Sequence, residues 1–309
     1  MLRQAEARGQ TVRPAGSGHS WSGLVPTDGF LLSFDRYQDV LAVDRNRGTI
    51  TVQAGLRLSS LHDGLAREGL ALPNTGSIDR QTIAGAVSTA THGTGRRLGG
   101  LASQVIGLRL VTAGGEGLDC SSDKDRDLFD TARGGLGALG VISTVTLRAE
   151  PAYRLRAVEE KRPLSELLAN LDAAVEGHDH FKFWWLPHTD QCLAFLQDRT
   201  DLPLRRLPAR TLHHVVKDLL ADLGMGLSGR WPRWVPLFNR RFLLGLAPQR
   251  AEYIDRSDRV LSFSVHIRHW ESEHGVPLAA AAEALGRLRE FLDRGRLPVN
   301  MPVEVRFSS

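Results

Sequence analysis

Cysteine is nearly absent. The 309-residue chain carries only Cys120 and Cys192, far apart and in no metal-type spacing, so neither a disulfide frame nor a cysteine-bound zinc is expected. No apolar run reaches the roughly 18 residues that a membrane helix needs. The opening MLRQAEARGQ also lacks the apolar stretch of a secretion signal, so the expected location is cytoplasmic, with no membrane span. A large excess of one charge is missing as well. Against 39 Lys and Arg stand 35 Asp and Glu, a net charge of +4, which implies no nucleic acid partner. Internal repeats and low-complexity tracts are absent too, which leaves solenoid and disordered architectures aside.

What is there is ordinary globular composition, 42% hydrophobic and 24% charged. A chain of this length buries about three quarters of its unfolded surface in one large or two medium domains. Two are expected here, residues 1–150 and 151–309. Basic residues crowd into 199–250, where ten Arg or Lys face three acids. Trp231, Trp234, Phe238 and Phe242 lie among the arginines of that segment. They form either a membrane-surface patch or a lid over a substrate, and the lack of a clean helical face favours the lid.

Leu2–Arg8 reads as the last turns of a helix stopped by Gly9, with no N-cap before it, so more chain is expected upstream. Strands are expected at 11–14, 30–34, 40–43 and 49–53, then a helix from Leu56 to Gly69. A hairpin around Gly114-Gly115, a helix at 125–133 and a strand at 141–148 follow. The second half reads as α+β, with helices at 163–175, 210–223 and 277–294 and strands at 181–186, 192–197, 260–268 and 303–307. The closing strand alternates correctly and stops without a turn, so more chain is expected there also.

Two glycine-rich stretches carry the chemistry. Gly16-Ser-Gly-His-Ser20 follows a strand, and its small residues let backbone N–H groups converge on a phosphate. It lacks the dinucleotide Gly-x-Gly-x-x-Gly, since Trp21 interrupts, and any Walker lysine. By itself it is equally a tight strand-exit turn. From Pro73 to Gly100 the chain is mostly Gly, Ser, Thr and Ala, a composition that lets backbone approach a ligand closely. Two such loops can grip the two ends of a long diphosphate ligand.

These loops, the Val52-Gln-Ala-Gly55 strand end, Ser88-Thr-Ala-Thr-His-Gly93 and Gly134-Gly-Leu-Gly-Ala-Leu-Gly-Val-Ile142 together resemble the FAD-binding domain of the vanillyl-alcohol oxidase superfamily. The second half, through Phe181-Lys-Phe-Trp-Trp-Leu-Pro-His-Thr-Asp190 and Pro302-Val-Glu-Val-Arg-Phe307, is similar to the sugar-1,4-lactone and alditol oxidases. The fold so implied is α+β: a PCMH-type FAD-binding domain of two small α+β subdomains, followed by an α+β substrate-cap domain. The resemblance implies FAD bound by Ala15, Gly16, Ser17, Gly18, His19 and Ser20 in the first loop. In the second it implies Gly76, Ser77, Thr82, Gly85, Ser88, Thr91, His92 and Gly93, with Ile142 at the adenine or flavin edge.

His19 matches the histidine bonded to the flavin methyl group, a link that needs a neutral imidazole nucleophile. His92 either contacts the flavin or orders its own loop. Gly76 matches a position where a small residue leaves room for oxygen, and is equally a turn glycine. Glu304 and Arg306 share one face of the last strand. That face is either plain exposed sheet or, as the resemblance implies, the group that holds sugar hydroxyls and stabilises charge beside the flavin.

The reaction implied is oxidation of a hydroxyl-bearing carbon of a sugar lactone or polyol, with molecular oxygen taking the electrons to give hydrogen peroxide. Alternatives are a lactone dehydrogenase using another acceptor and a catalytically impaired FAD-binding remnant. Family members continue to a His-Trp-Gly-Lys segment that this sequence does not reach, so FAD binding is expected to be more complete than the substrate pocket. The pairs His213-His214 and His266/His269 fit no zinc spacing, and no metal is expected.

Overall fold

A computed structural model describes the chain except for residues 21, 207–222, 225, 244, 246–248 and 263–270, and the side chains of 242 and 243. The helix expected at 210–223 falls almost wholly outside the described residues, as do His213, His214, His266 and His269. The fold is mixed helix and sheet, and the chain forms two compact units. The first comprises Met1–Gly93, Leu98–Tyr153 and a late return through the helix Ser257–Leu261. The second comprises Thr94–Arg97, Arg154–Arg256 and the final part of the chain.

In the first unit, α1 (Leu2–Ala7) leads to β1 (Val12–Ala15), which pairs in parallel with β2 (Phe30–Ser33). The β1–β2 approach is close at Gly29, where a Cβ would lie 2.1 Å from the Thr11 carbonyl oxygen, so only glycine fits. β3 (Val40–Asp44) and β4 (Thr49–Gln53) form the expected hairpin. Leu58, Leu61 and Leu65 of α2 (Leu58–Arg67) recur at helical spacing and are fully buried. Beneath them in the same core lie Ile50 and Val52 of β4 with Val145 and Leu147 of β8 (Val141–Arg148).

β5 (Leu70–Ala71) pairs with β9 (Glu150–Pro151), and α3 (Ile83–Ser88) lies inside the small-residue stretch. β6 (Val105–Val111), β7 (Gly117–Ser121) and α4 (Arg126–Ala132) complete the unit. Its antiparallel sheet runs β3-β4-β8-β6-β7. Alternation in β4 and β8 turns Ile50, Val52, Val145 and Leu147 inward, while the Thr51 and Thr146 hydroxyls meet at 2.9 Å on the other face.

The second unit is a five-stranded antiparallel sheet in the order β13-β10-β12-β11-β14. Its strands are β10 (Arg154–Pro163), β11 (His180–Trp185), β12 (Gln191–Thr200), β13 (Arg250–Arg256) and β14 (Val303–Arg306). Phe181, Phe183 and Trp185 put one face of β11 into the core. α5 (Leu164–Ala169), α6 (Leu171–Glu176) and α8 (Ala281–Arg294) supply Leu164, Leu167, Leu171, Val175, Leu285 and Leu292 to the same core. The helix expected over 163–175 is broken at Asn170, whose side-chain amide donates to the Glu166 carbonyl at 3.0 Å and closes α5.

The strand expected at 260–268 is corrected at its start. Val260 and Leu261 belong to α7 (Ser257–Leu261), and both neighbours are buried, which a helix permits and a strand with alternating faces does not. Among the described residues, no helix is long and apolar enough to cross a membrane. Trp231 and Trp234 of the arginine-rich segment are each about half exposed, with the Arg233 guanidinium 5.8 Å from the Trp234 ring centre.

Candidate active site

In the first unit the two glycine-rich stretches fold onto one another. The loop after β1 holds Gly18 in the left-handed region at φ +75°, and nothing lies within 4 Å of where a Cβ would stand. A Cβ on Gly16 would come within 2.6 Å of Thr82 Oγ1, and one on Gly85 within 2.9 Å of the same oxygen. Bare backbone at 16 and 85 therefore lets the first loop meet the start of α3. Gly16, Ser17 and Gly18 are exposed, and His19 and Ser20 are half-buried. Ser88 closes α3, and its carbonyl accepts the amide of Leu136 at 3.2 Å, tying in the Gly134–Gly140 turn.

A second group forms around Gly76, which is buried. Its absent Cβ would lie 2.8 Å from Thr91 Cγ2 and 3.5 Å from the His92 carbonyl oxygen. Asn74 donates to the Gly99 carbonyl at 3.3 Å, and Gln104 donates to the Asn74 carbonyl at 2.7 Å, tying this loop to residues 99–104. His92 donates from Nδ1 to the Gly93 carbonyl at 2.9 Å. Ser262, beyond α7, donates to the Gly76 carbonyl at 3.4 Å. Ser77 neighbours this group in the chain and is half-buried. Ile142 lies in β8 opposite Leu110, past the last β4–β8 pair at Gln53–Thr144, with its side chain in the core.

Sequence reasoning missed Gln81. Its amide donates to Thr91 Oγ1 at 3.0 Å, while its buried Oε1 has no hydrogen-bond partner and stands 4.0 Å from the Cβ position of Gly76. A bare-backbone cradle with a buried acceptor beside it fits a large heteroaromatic diphosphate such as FAD, which needs close backbone approach and polar groups at its edge.

Glu304 and Arg306 belong to the second unit. The β11–β14 register sets Trp184 opposite Glu304 and Lys182 opposite Arg306. All four share the sheet face away from the helices, because Phe183, Trp185, Val303 and Val305 take the other. Lys182 Nζ donates to Glu304 Oε1 at 2.8 Å, and the lysine side chain is only 5% exposed against 28% for the glutamate. Lys182 Nζ also stands 5.3 Å from the Phe195 ring centre and 5.7 Å from that of Trp184.

Burial acts to raise the Glu304 carboxyl. The Lys182 and Arg306 charges, with hydrogen bonds from Lys182 and Trp184, outweigh it and hold the carboxyl below the usual glutamate range. Arg306 pairs with Glu273 at 2.6 Å. His180 is fully buried, bound through Nδ1 to the Thr94 carbonyl at 2.8 Å, and burial pushes its imidazole below the usual range, so it is neutral. Burial also pushes the Cys192 thiol up to about 12, which makes it inert.

A family model described as D-arabinono-1,4-lactone oxidase matches residues 145–309, and one described as FAD binding domain matches residues 1–121. The L-gulonolactone oxidase of Scyliorhinus torazame is 34% identical, over 99% of this chain and 70% of that protein. The L-gulono-1,4-lactone dehydrogenase of Mycobacterium tuberculosis is 37% identical, over 100% of this chain and 72% of its own length. Among solved structures, a cholesterol oxidase from Brevibacterium sterolicum superposes with a TM-score of 0.81 at 18% identity, covering 99% of this chain and 66% of that one. At that identity the likeness is one of fold.

Proposed function

Because the chain belongs to the D-arabinono-1,4-lactone oxidase family and is an FAD-dependent lactone oxidoreductase, we propose that it oxidises a CH–OH group of a sugar-1,4-lactone or related polyol and passes the electrons to oxygen, giving hydrogen peroxide. The observation that carries this reading is the carboxylate and guanidinium of Glu304 and Arg306 on the polar face of β14. In this reading residues 1–150 form the FAD-binding domain and 151–309 the substrate domain. The loops Ala15–Ser20 and Gly76–Gly93 with Ile142 hold FAD, and His19 bonds to it covalently. FAD, when bound, supplies the two-electron acceptor for the alcohol.

The chain's own part is positioning and electrostatics. An ionised Glu304 accepts hydrogen bonds from substrate hydroxyls and fixes which carbon is presented. Arg306 offers positive charge where negative charge develops, an interaction realised mainly in the transition state. Gly76, which carries no side chain, supports oxygen as acceptor, and a Cβ there would have to displace Thr91 Cγ2, 2.8 Å away.

The test is anaerobic reduction of the holoprotein by L-gulono-1,4-lactone, D-arabinono-1,4-lactone and xylitol, followed by admission of air. Rapid bleaching and then peroxide equal to product is the expected result. Reduced flavin that persists in air yet yields its electrons to a dye would make the protein a dehydrogenase instead. Gly76→Ala is expected to slow reoxidation by about tenfold, an added barrier near 1.4 kcal/mol, with the anaerobic reduction rate kept. Stopped-flow measurement of both half-reactions checks this.

A further inference from the structure

We infer that Lys182 is a positioning residue of the active site, the group that holds the Glu304 carboxylate charged and in one orientation for substrate. The inference rests on the reading of Glu304 as a substrate-binding residue and goes beyond it. A lysine in the middle of a central strand, 5% exposed, is costly unless its charge is met. Here Nζ meets Glu304 Oε1 at 2.8 Å from the neighbouring strand.

Geometry makes the pairing stiff. Lys182 and Glu304 sit diagonally across an antiparallel ladder, with Trp184 directly opposite Glu304 and Phe195 directly opposite Lys182 on β12. The lysine stem is enclosed by these rings, Trp184 packing edge-on against Phe195 at 4.9 Å. A buried ammonium in an aromatic slot has few rotamers left, so the carboxylate bound to it is fixed as well.

Among the described residues, the other charged groups nearby have close partners of their own, although the Arg306 charge also acts on Glu304. Arg306, on the same strand, pairs with Glu273. Arg96 and Arg97, in the segment whose Gly95 pairs with Ser308 beyond β14, both pair with Glu176. On β10, Glu159 accepts from the Tyr253 hydroxyl at 2.9 Å. His180, next along the same face of β11, is neutral. Among the described residues, Lys182 is therefore the cation that hydrogen-bonds the Glu304 carboxylate.

The experiment uses holoprotein with Lys182→Met, Lys182→Arg and Glu304→Gln. An infrared pH titration, with Glu304→Gln subtracted, reads the Glu304 carboxyl directly. The expected result is titration below the ordinary glutamate range in the parent, a clear upward move in Lys182→Met and return toward the parent in Lys182→Arg. In steady state, Lys182→Met lowers kcat by roughly a hundredfold, the order that a 1 Å misplacement can cost, and moves the acid limb of kcat/KM upward. Lys182→Arg recovers part of both. An unmoved carboxyl titration in Lys182→Met overturns the inference. Full activity in Glu304→Gln, with the titration moving as expected, overturns instead the placing of Glu304 at the substrate.

Discussion

The His19→Ala holoprotein is expected to release all its flavin into the supernatant on acid precipitation, whereas the parent protein keeps its flavin in the pellet. The effect is all-or-none because a covalent bond survives denaturation and a bound cofactor does not. His19 follows Gly18, whose left-handed backbone turns the loop, and it is half-buried. A neutral imidazole can act as the nucleophile toward the flavin methyl group, and the resulting bond raises the cofactor's oxidising power. The variant is thus also expected to show a lower flavin reduction potential and slower reduction by lactone. Absorbance of pellet and supernatant checks the attachment, and dye-equilibrated reduction checks the potential. Quantitative release of flavin from the parent protein would overturn the covalent assignment.

Glu304→Gln is expected to lower kcat by roughly a hundred- to a thousandfold, about 3–4 kcal/mol of transition-state stabilisation, with a smaller change in KM. The amide keeps the size of the carboxylate and can still accept from Lys182, so the fold is retained while the negative charge is lost. Glu304→Ala removes the acceptor itself and leaves the Lys182 ammonium buried without its ion-pair partner. That is expected to cost about 2 kcal/mol of stability, below the usual figure for a buried pair because Glu304 is partly exposed.

The pH dependence follows from the depressed carboxyl. A folded-state value below the unfolded one adds stability that is fully present above the unfolded value and is lost as pH falls through the folded one. The parent protein is expected to lose this increment only under acid conditions below the ordinary glutamate range, and Glu304→Gln is expected to lack it. Thermal unfolding midpoints across the acid range, with kinetics at neutral pH, test both statements.

Much of the site was legible in the sequence where the physics is local. A loop that must bring backbone close to a ligand has to be built of Gly, Ser and Thr, and that composition stands out at 16–20 and 73–100 whatever surrounds it. Alternation alone put Glu304 and Arg306 on one face of a strand, and β14 carries them so. Other elements were hidden by charge. No strand was expected at β10 or β13, whose many charges are satisfied by cross-strand pairing: Arg156 with Glu252 at 3.0 Å and Arg250 with Glu160 at 2.9 Å.

The sequence by itself determined the glycine-rich loops, the first-unit hairpins and helix α2, because each depends on residue type and short spacing, and the flavoprotein family entered through resemblance to known members. Only the tertiary structure decided that Lys182 belongs to Glu304, that Gln81 stands beside Gly76, and that residues 257–262 return to the first unit. Lys182 and Glu304 are 122 positions apart, and no local pattern encodes their meeting. It follows from strand register, where a shift of one residue would turn Lys182 toward the aromatic core and leave Glu304 without its cation.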